Sequence, residues 1–306
     1  MQDGSRKAIV AAFFANLGIA VAKFVGFALT RSTGLLAEAG HSLADTGNQA
    51  LLILGAKRAQ KRPDREFQFG YGRERYFWSF VVALVLFSMG GLFALYEGIQ
   101  KLSHPHETEK LPVAIAILLV AIALETFSLR TAVKEARHIK PVGMSWMRFI
   151  RTSKQPELSV VLLEDVGAEA GLILALSGVM LAHYTHEPRW DAIGSISIGV
   201  LLIVIAIMLA VETKALLIGE SASDADIDSI SGAIVRESTV TSILNLRTVH
   251  ISPDEILVAA KVHFAETLAV TQVADAINRI ELNVREGVPA ARYVFVEPDN
   301  PRILAP

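Results

Sequence analysis

Two short polar patches interrupt otherwise apolar stretches of the chain: Glu38-Ala-Gly-His41-Ser-Leu-Ala-Asp45, and Glu164-Asp165 followed by Glu169. Residues 38, 41 and 45 are spaced by three and then four, so on a helix of about 3.6 residues per turn they project from one face. His41 and Asp45 then offer one nitrogen and one or two oxygens to a single ion, a set suited to zinc and tolerated by manganese, iron, cobalt or nickel. Asn48 lies one further turn along that face, placed to ligate or to support the ligands from behind. The competing reading is that His41 and Asp45 hydrogen-bond each other or a neighbouring helix.

Asp165 and Glu169 form a second pair four residues apart, while Glu164 is rotated about 100° from Asp165, so only some of these acids can face one ion. An ionisable group at membrane depth costs roughly 2.5–3.5 kcal/mol on insertion scales and is usually kept for ion or proton work. Three carboxylates exceed what helix solubility requires, so at least one should face a polar cavity and carry a cation or a proton. The alternative is that Glu164 or Glu169 is protonated or paired with an arginine of a neighbouring helix. The chain has no cysteine, which excludes disulfides and thiolate ligands and leaves imidazole and carboxylate as the strong cation donors.

The elements that must hold these residues are membrane helices. Of 306 residues, 52% are hydrophobic and 20% charged, more apolar than an ordinary soluble domain with its charge of about 25%. A spanning helix needs about 20 apolar residues, and six such segments can be drawn, at 8–29, 34–56, 75–99, 111–133, 157–182 and 190–217. The first follows Met1-Gln-Asp-Gly-Ser-Arg-Lys and exceeds the apolar core of a cleaved signal peptide, so it reads as a retained span. A soluble helical bundle would need six spans and an alternation of loop charge to coincide by accident. Basic residues crowd the second-to-third connection (Lys57, Arg58, Lys61, Arg62, Arg65, Arg73, Arg75) and the fourth-to-fifth (Lys134, Arg137, Lys140, Arg148, Arg151, Lys154). Lysine and arginine mark cytoplasmic loops, so both termini are expected in the cytoplasm.

The domains expected are a six-helix membrane domain over 1–217 and a cytoplasmic domain over 218–306. In the latter, 225–237 reads as helix, 244–251 and 256–264 as strands, 270–284 as helix from the spacing of Val273, Ala276, Ile277, Ile280 and Val284, and 291–297 as a third strand. The order is αββαβ, a small ferredoxin-like α+β domain with an open face or edge that makes a homodimer the economical expectation. The net charge of −2 conceals local asymmetry, and no basic and aromatic surface for nucleic acid emerges.

The chain resembles the cation diffusion facilitators, six-span dimeric exporters of divalent metals with a cytoplasmic αββαβ domain. The resemblance covers nearly the whole chain and rests on three runs: Glu-Ala-Gly-His41-Ser-Leu-Ala-Asp45-Thr-Gly-Asn-Gln, Phe69-Gly-Tyr-Gly-Arg73, and Leu-Glu164-Asp165-Val. It implies a four-ligand site shared by the second and fifth spans that exchanges metal for protons. His41, Asp45 and Asp165 match three of those positions, while the fourth falls at Val161, which cannot ligate. The chain is thus similar to the branch carrying the Leu-Glu-Asp signature, which includes mitochondrial zinc transporters, and water, Glu164, Glu169 or Asn48 would complete the shell. A further site of some relatives, before the third span, keeps only Asp64 and is expected to be absent. Of the relatives' cytoplasmic zinc cluster only His263 matches, with Asn245, Thr271 and Val296 at other ligand positions and His250 and Glu297 nearby as candidates for a reduced site. His104, His106, His183 and His186 could form an external metal-collecting rim.

The function expected is secondary export of a divalent cation, zinc foremost, in exchange for protons across a lipid bilayer, with a bacterial inner membrane as the location. The alternative is an exporter selective for manganese, iron or cobalt. An intramembrane metal-dependent hydrolase would need an activated water and a substrate cleft, and no zincin motif or nucleophile elbow is present. A metal sensor would bind without transport. The chain is expected not to be an enzyme, with no catalytic residue and no resident cofactor, Zn2+ being cargo.

Overall fold

The computed structural model describes residues 13–14, 16–21, 24–25, 28, 33–104 and 111–301, with the side chains of 33–41 and 113 outside the description. Half of the segment drawn at 8–29 therefore lies outside the described residues, as does His106. The chain divides into two compact units, Met1–Lys61 with Glu74–Lys214, and Arg62–Arg73 with Ala215–Pro306.

In the helical unit α1 spans Thr33–Arg58, α2 Glu74–Val85, a π-helical stretch Leu86–Leu92, α3 Phe93–Ser103, α4 Leu111–Ile139, α5 Trp146–Thr152, α6 Pro156–Thr185 and α7 Arg189–Ile218. Among the described residues three helical stretches are long and apolar enough to cross a membrane: Glu74–Ser103, Ala114–Ile139 and Arg189–Ile218. They coincide with the third, fourth and sixth apolar segments read from the sequence. The second and fifth segments are α1 and α6, of 26 and 30 residues. At a rise of about 1.5 Å per residue both are long enough to span.

Local chemistry sets several boundaries. Pro156 opens α6, where its missing N–H costs nothing. His186 closes that helix in the left-handed conformation at φ 57°, a common way for a helix to end. The short α5 is capped by Ser145, whose Oγ accepts from the Arg148 backbone N–H at 3.3 Å and so satisfies a donor the helix start leaves open. The wider turn at Leu86–Leu92 contains Gly90 and Gly91, both buried. There the backbone passes hard against α7: a Cβ on Gly199 would lie 2.7 Å from the Leu95 nitrogen and 3.0 Å from the Gly91 carbonyl oxygen. Small residues of this kind let membrane helices approach closely.

The unit's core joins Leu52 of α1, Val82 and Ala83 of α2, Ala132 and Ala136 of α4, Leu158–Leu163 of α6 and Leu202–Leu209 of α7. α6 is the pivot, since it packs against both α4 and α2, while α1 packs on α2. Its first turn is fixed by a buried ion pair: Arg75 donates from Nε to Glu157 Oε1 and from Nη2 to Oε2, the latter at 3.0 Å. The side chains are 5% and 1% exposed. Arg75, counted with the loop charges in the sequence reading, is thus a buried helix residue, because it neutralises an acid on the neighbouring helix.

The second unit is the expected αββαβ domain. α8 spans Asp224–Val235, β1 Val240–Ser252, β2 Glu255–Phe264, α9 Val270–Gly287 and β3 Tyr293–Pro298. β2 is central, antiparallel to β1 and parallel to β3. Ser223 caps α8 by accepting from the Asp226 N–H at 3.2 Å, the usual role of a serine at that position. At the start of α9 Gln272 Oε1 accepts from the Ala269 N–H at 2.8 Å. Ile230 and Ile234 of α8 with Ala276, Ile280 and Val284 of α9 cover Ile256, Val258, Ala260 and Val262 of β2. Residues 62–73 belong to this unit, where Asp64 accepts from the Phe67 N–H at 2.8 Å and the Tyr71 hydroxyl at 2.6 Å. Asp64 therefore staples a loop.

Candidate metal site between two helices

The buried stripe of α1 runs through Ser42, Thr46, Asn48, Gln49 and Leu52, with Asp45 half-buried beside it. Such a polar stripe is stable inside the bundle only if α6 meets it with polar partners, and it does. Asn48 Nδ2 donates to Glu164 Oε1 at 2.8 Å and Gln49 Nε2 donates to Glu164 Oε2 at 3.0 Å. Each carboxylate oxygen of Glu164 thus takes one amide hydrogen from α1, with Asn48 2%, Gln49 0% and Glu164 6% exposed.

The rotation of about 100° between successive helix residues sends the next acid elsewhere. Asp165, also buried, accepts from Ser128 Oγ of α4 at 3.1 Å, and half-buried Glu169 accepts from Thr126 Oγ1 of the same helix at 2.9 Å. The pairing of Glu164 or Glu169 with an arginine, weighed from the sequence, is replaced by amide and hydroxyl donors, and the acid that takes an arginine is Glu157, in the first turn of the helix.

The pairs do not stand apart electrostatically. Asp45 acts on both Glu164 and Asp165, and Glu125 of α4 acts on Glu164. Carboxyl groups of α1, α4 and α6 therefore lie near enough to interact, and when ionised they attract a cation and repel an anion. Of the residues singled out in the sequence, Asn48 and Glu164 are in direct contact, Asp45 and Asp165 interact electrostatically, and Glu169 sits a turn further along α6 on the α4 side. The His41 backbone lies in α1, but its side chain is outside the described residues. Among the described residues no three histidine, aspartate or glutamate side chains gather closely enough to hold a metal ion. Gln49 was missed, although it sits four residues after Asp45 and so on its face.

Elsewhere the described histidines do not form one site. On the β1–β2 ladder His250 pairs with Ile256 and His263 with Ser242, which sets them about 24 Å apart along the hairpin. His250 Nδ1 lies 3.3 Å from the Ser252 carbonyl and His263 Nδ1 3.4 Å from that of Asp299, while Glu297 is engaged by Lys261 at 2.9 Å. The register therefore keeps His250 and His263 of one chain from sharing an ion. His104, His183 and His186 are each in the helical unit, and all three are exposed.

A family model described as the cation efflux transmembrane domain matches residues 9–218. The chain belongs to the cation efflux family. Cation efflux proteins similar to it include the human "Proton-coupled zinc antiporter SLC30A9, mitochondrial", 32% identical over 244 residues, which are 79% of this chain and 43% of that protein. The "Metal tolerance protein C4" of Arabidopsis thaliana is 25% identical over 97% of this chain and 74% of its own length. The "Zinc transporter ZitB" of Pectobacterium atrosepticum is 28% identical over 82% of this chain and 72% of its own. The chain thus spans less than half the length of the human relative. Cation efflux proteins are transporters and not enzymes, and the chain is an integral membrane protein of that family.

Proposed function

We propose that this chain exports a divalent cation, zinc foremost, from the cytoplasm in exchange for protons. The observation that supports the reading is the buried polar contact of α1 with α6 through Asn48, Gln49 and Glu164, on helices that also carry Asp45 and Asp165, inside a bundle with apolar helices. His41 is assigned to the same site by its spacing of four from Asp45. The relatives' names point to zinc, and one of them to proton coupling. Manganese, iron and cobalt are the alternatives, because Val161 contributes no ligand and the donors left are mostly oxygens.

Exchange follows from competition for the same lone pairs. Imidazole and carboxylate must lose their protons to hold a metal, and histidine titrates near neutral pH, so a site opening to a more acidic side releases metal and returns with protons. In this scheme the chain has six spans over 1–217, both termini in the cytoplasm of a bacterial cell and the bundle in its inner membrane, with the 218–306 domain joining two copies as a homodimer.

The test is uptake of zinc into proteoliposomes across an imposed pH gradient. Asp45→Ala and Asp165→Ala are expected to abolish metal-dependent proton flux while leaving the detergent-extracted chain monodisperse, and unaltered flux in both variants would refute the assignment.

A further inference from the structure

Gln49 and Asn48 raise a question that the carboxylates do not answer. Their amide nitrogens are spent on Glu164, at 3.0 Å and 2.8 Å. An amide is planar, with oxygen and nitrogen on opposite branches of one carbon, so each carbonyl oxygen is turned away from the bond its own nitrogen makes. Gln49 Oε1 and Asn48 Oδ1 are both buried with no hydrogen-bond partner among the described residues. Buried acceptors are normally satisfied, and two adjacent exceptions in one turn of helix need a reason.

The surroundings supply one. The two residues follow Asp45 by three and four positions and so share its face, and Asp45 acts on both acids of α6. With Val161 unable to ligate, and with no three histidine, aspartate or glutamate side chains gathered among the described residues, a dication here lacks donors. Neutral amide oxygens are ordinary ligands for cations that prefer oxygen. Amide nitrogens that fix Glu164 on one side would hold the oxygens in a set position on the other, since neither side chain can rotate without breaking its bond to the carboxylate.

We infer that Gln49, together with Asn48, determines which cation is carried: its nitrogen anchors Glu164, and its oxygen enters the shell of the transported dication in place of the ligand that Val161 does not supply. The inference rests on the transport reading above. It widens the substrate class from zinc to dications that accept a neutral oxygen, manganese among them. Removing the oxygen narrows the class back toward zinc, which is content with four donors.

The experiment uses the full chain in proteoliposomes, with Zn2+ and Mn2+ uptake measured separately. Gln49→Leu is expected to raise KM for Mn2+ about tenfold and KM for Zn2+ by less than about threefold, so that the ratio of the two changes. The Zn2+ uptake of the same variant is the internal control, because a chain that still carries Zn2+ with a KM within about threefold is folded and inserted. The inference is overturned if Gln49→Leu leaves both KM values unchanged, if it raises both by the same factor, or if it lowers only the maximal rate equally for both ions. Absence of uptake by the unmodified chain would instead overturn the transport reading itself, and full uptake by Asp45→Ala would overturn the assignment of the site.

Discussion

Arg75 and Glu157 are the strongest test of how the bundle is held together. The two side chains are 5% and 1% exposed and share two N–H···O bonds, so neither charge is compensated by water. Replacing Glu157 by Leu leaves a guanidinium buried without its carboxylate. Breaking a buried pair by removing one partner costs about 3–5 kcal/mol, whereas replacing both partners with apolar groups of similar volume is often neutral. Glu157→Leu and Arg75→Met are each expected to fall in that range, and the double variant to recover most of the loss, giving a coupling energy of about 3 kcal/mol. Unfolding of the detergent-solubilised chain can be followed by the fluorescence of Trp78 in a background with Trp146 and Trp190 replaced by Phe; Trp78 lies three residues after Arg75 and its Nε1 donates to Glu74 at 2.7 Å. Single variants that lose less than about 1 kcal/mol, or losses that simply add in the double variant, would refute the reasoning.

Three further outcomes follow from the packing. Arg279 donates to both oxygens of Glu237, each at 2.9 Å, and these bonds hold the Glu237 carboxyl down at about 2, below its usual 4.5. A depressed carboxylate stabilises the folded unit fully above about pH 4.5 and loses that contribution as pH falls toward 2. Because Arg279 is half exposed, solvent screens the pair and keeps its contribution small. Calorimetry at pH 7 is then expected to show Glu237→Gln slightly less stable than the unmodified chain, with the gap closing as the carboxyl protonates. Ile280→Ala, at a fully buried site of α9, should cost about 2–5 kcal/mol in the same assay. Gly199→Leu, which would drive a side chain into the backbone of Leu95 and Gly91, should destabilise the helical bundle in the Trp78 assay by about 1–3 kcal/mol or more.

Much of the fold is legible in the chain because long periods of apolar residues permit few alternatives. The fifth apolar segment drawn at 157–182 is the helix Pro156–Thr185, and the sixth, at 190–217, is Arg189–Ile218. The strand drawn at 256–264 is Glu255–Phe264, since alternation inside one short strand is equally constraining. Shorter or cooperative features escape. Trp146–Thr152 makes barely two turns, too few for a period to register, and the π-helical turn at Leu86–Leu92 depends on the close passage of α7. β1 begins four residues before the sequence reading because its early ladder is interrupted by register shifts between Val240 and Ser242 and between Ile243 and Asn245.

At the candidate site, residue types told which side chains could bind an ion, but not which neighbour each would choose. Glu164 and Asp165 are adjacent in the chain, yet one is taken by amides of α1 and the other by a serine of α4. That division follows from helix rotation combined with tertiary packing, and only the first of these can be read from spacing. Gln49 looked like an ordinary polar residue beside a named motif, and its importance appears only with its complete burial and its bond to Glu164.

The central claim, that α1 and α6 pool donors around a single travelling dication, is tested most directly by locating the ion. A zinc-loaded structure of the full chain, with the metal assigned by anomalous scattering, is predicted to place one ion touching Asp45 and Asp165 together, with oxygen distances of about 2.0–2.2 Å. An ion held by one helix alone, or zinc found only outside the helical unit, would contradict the account.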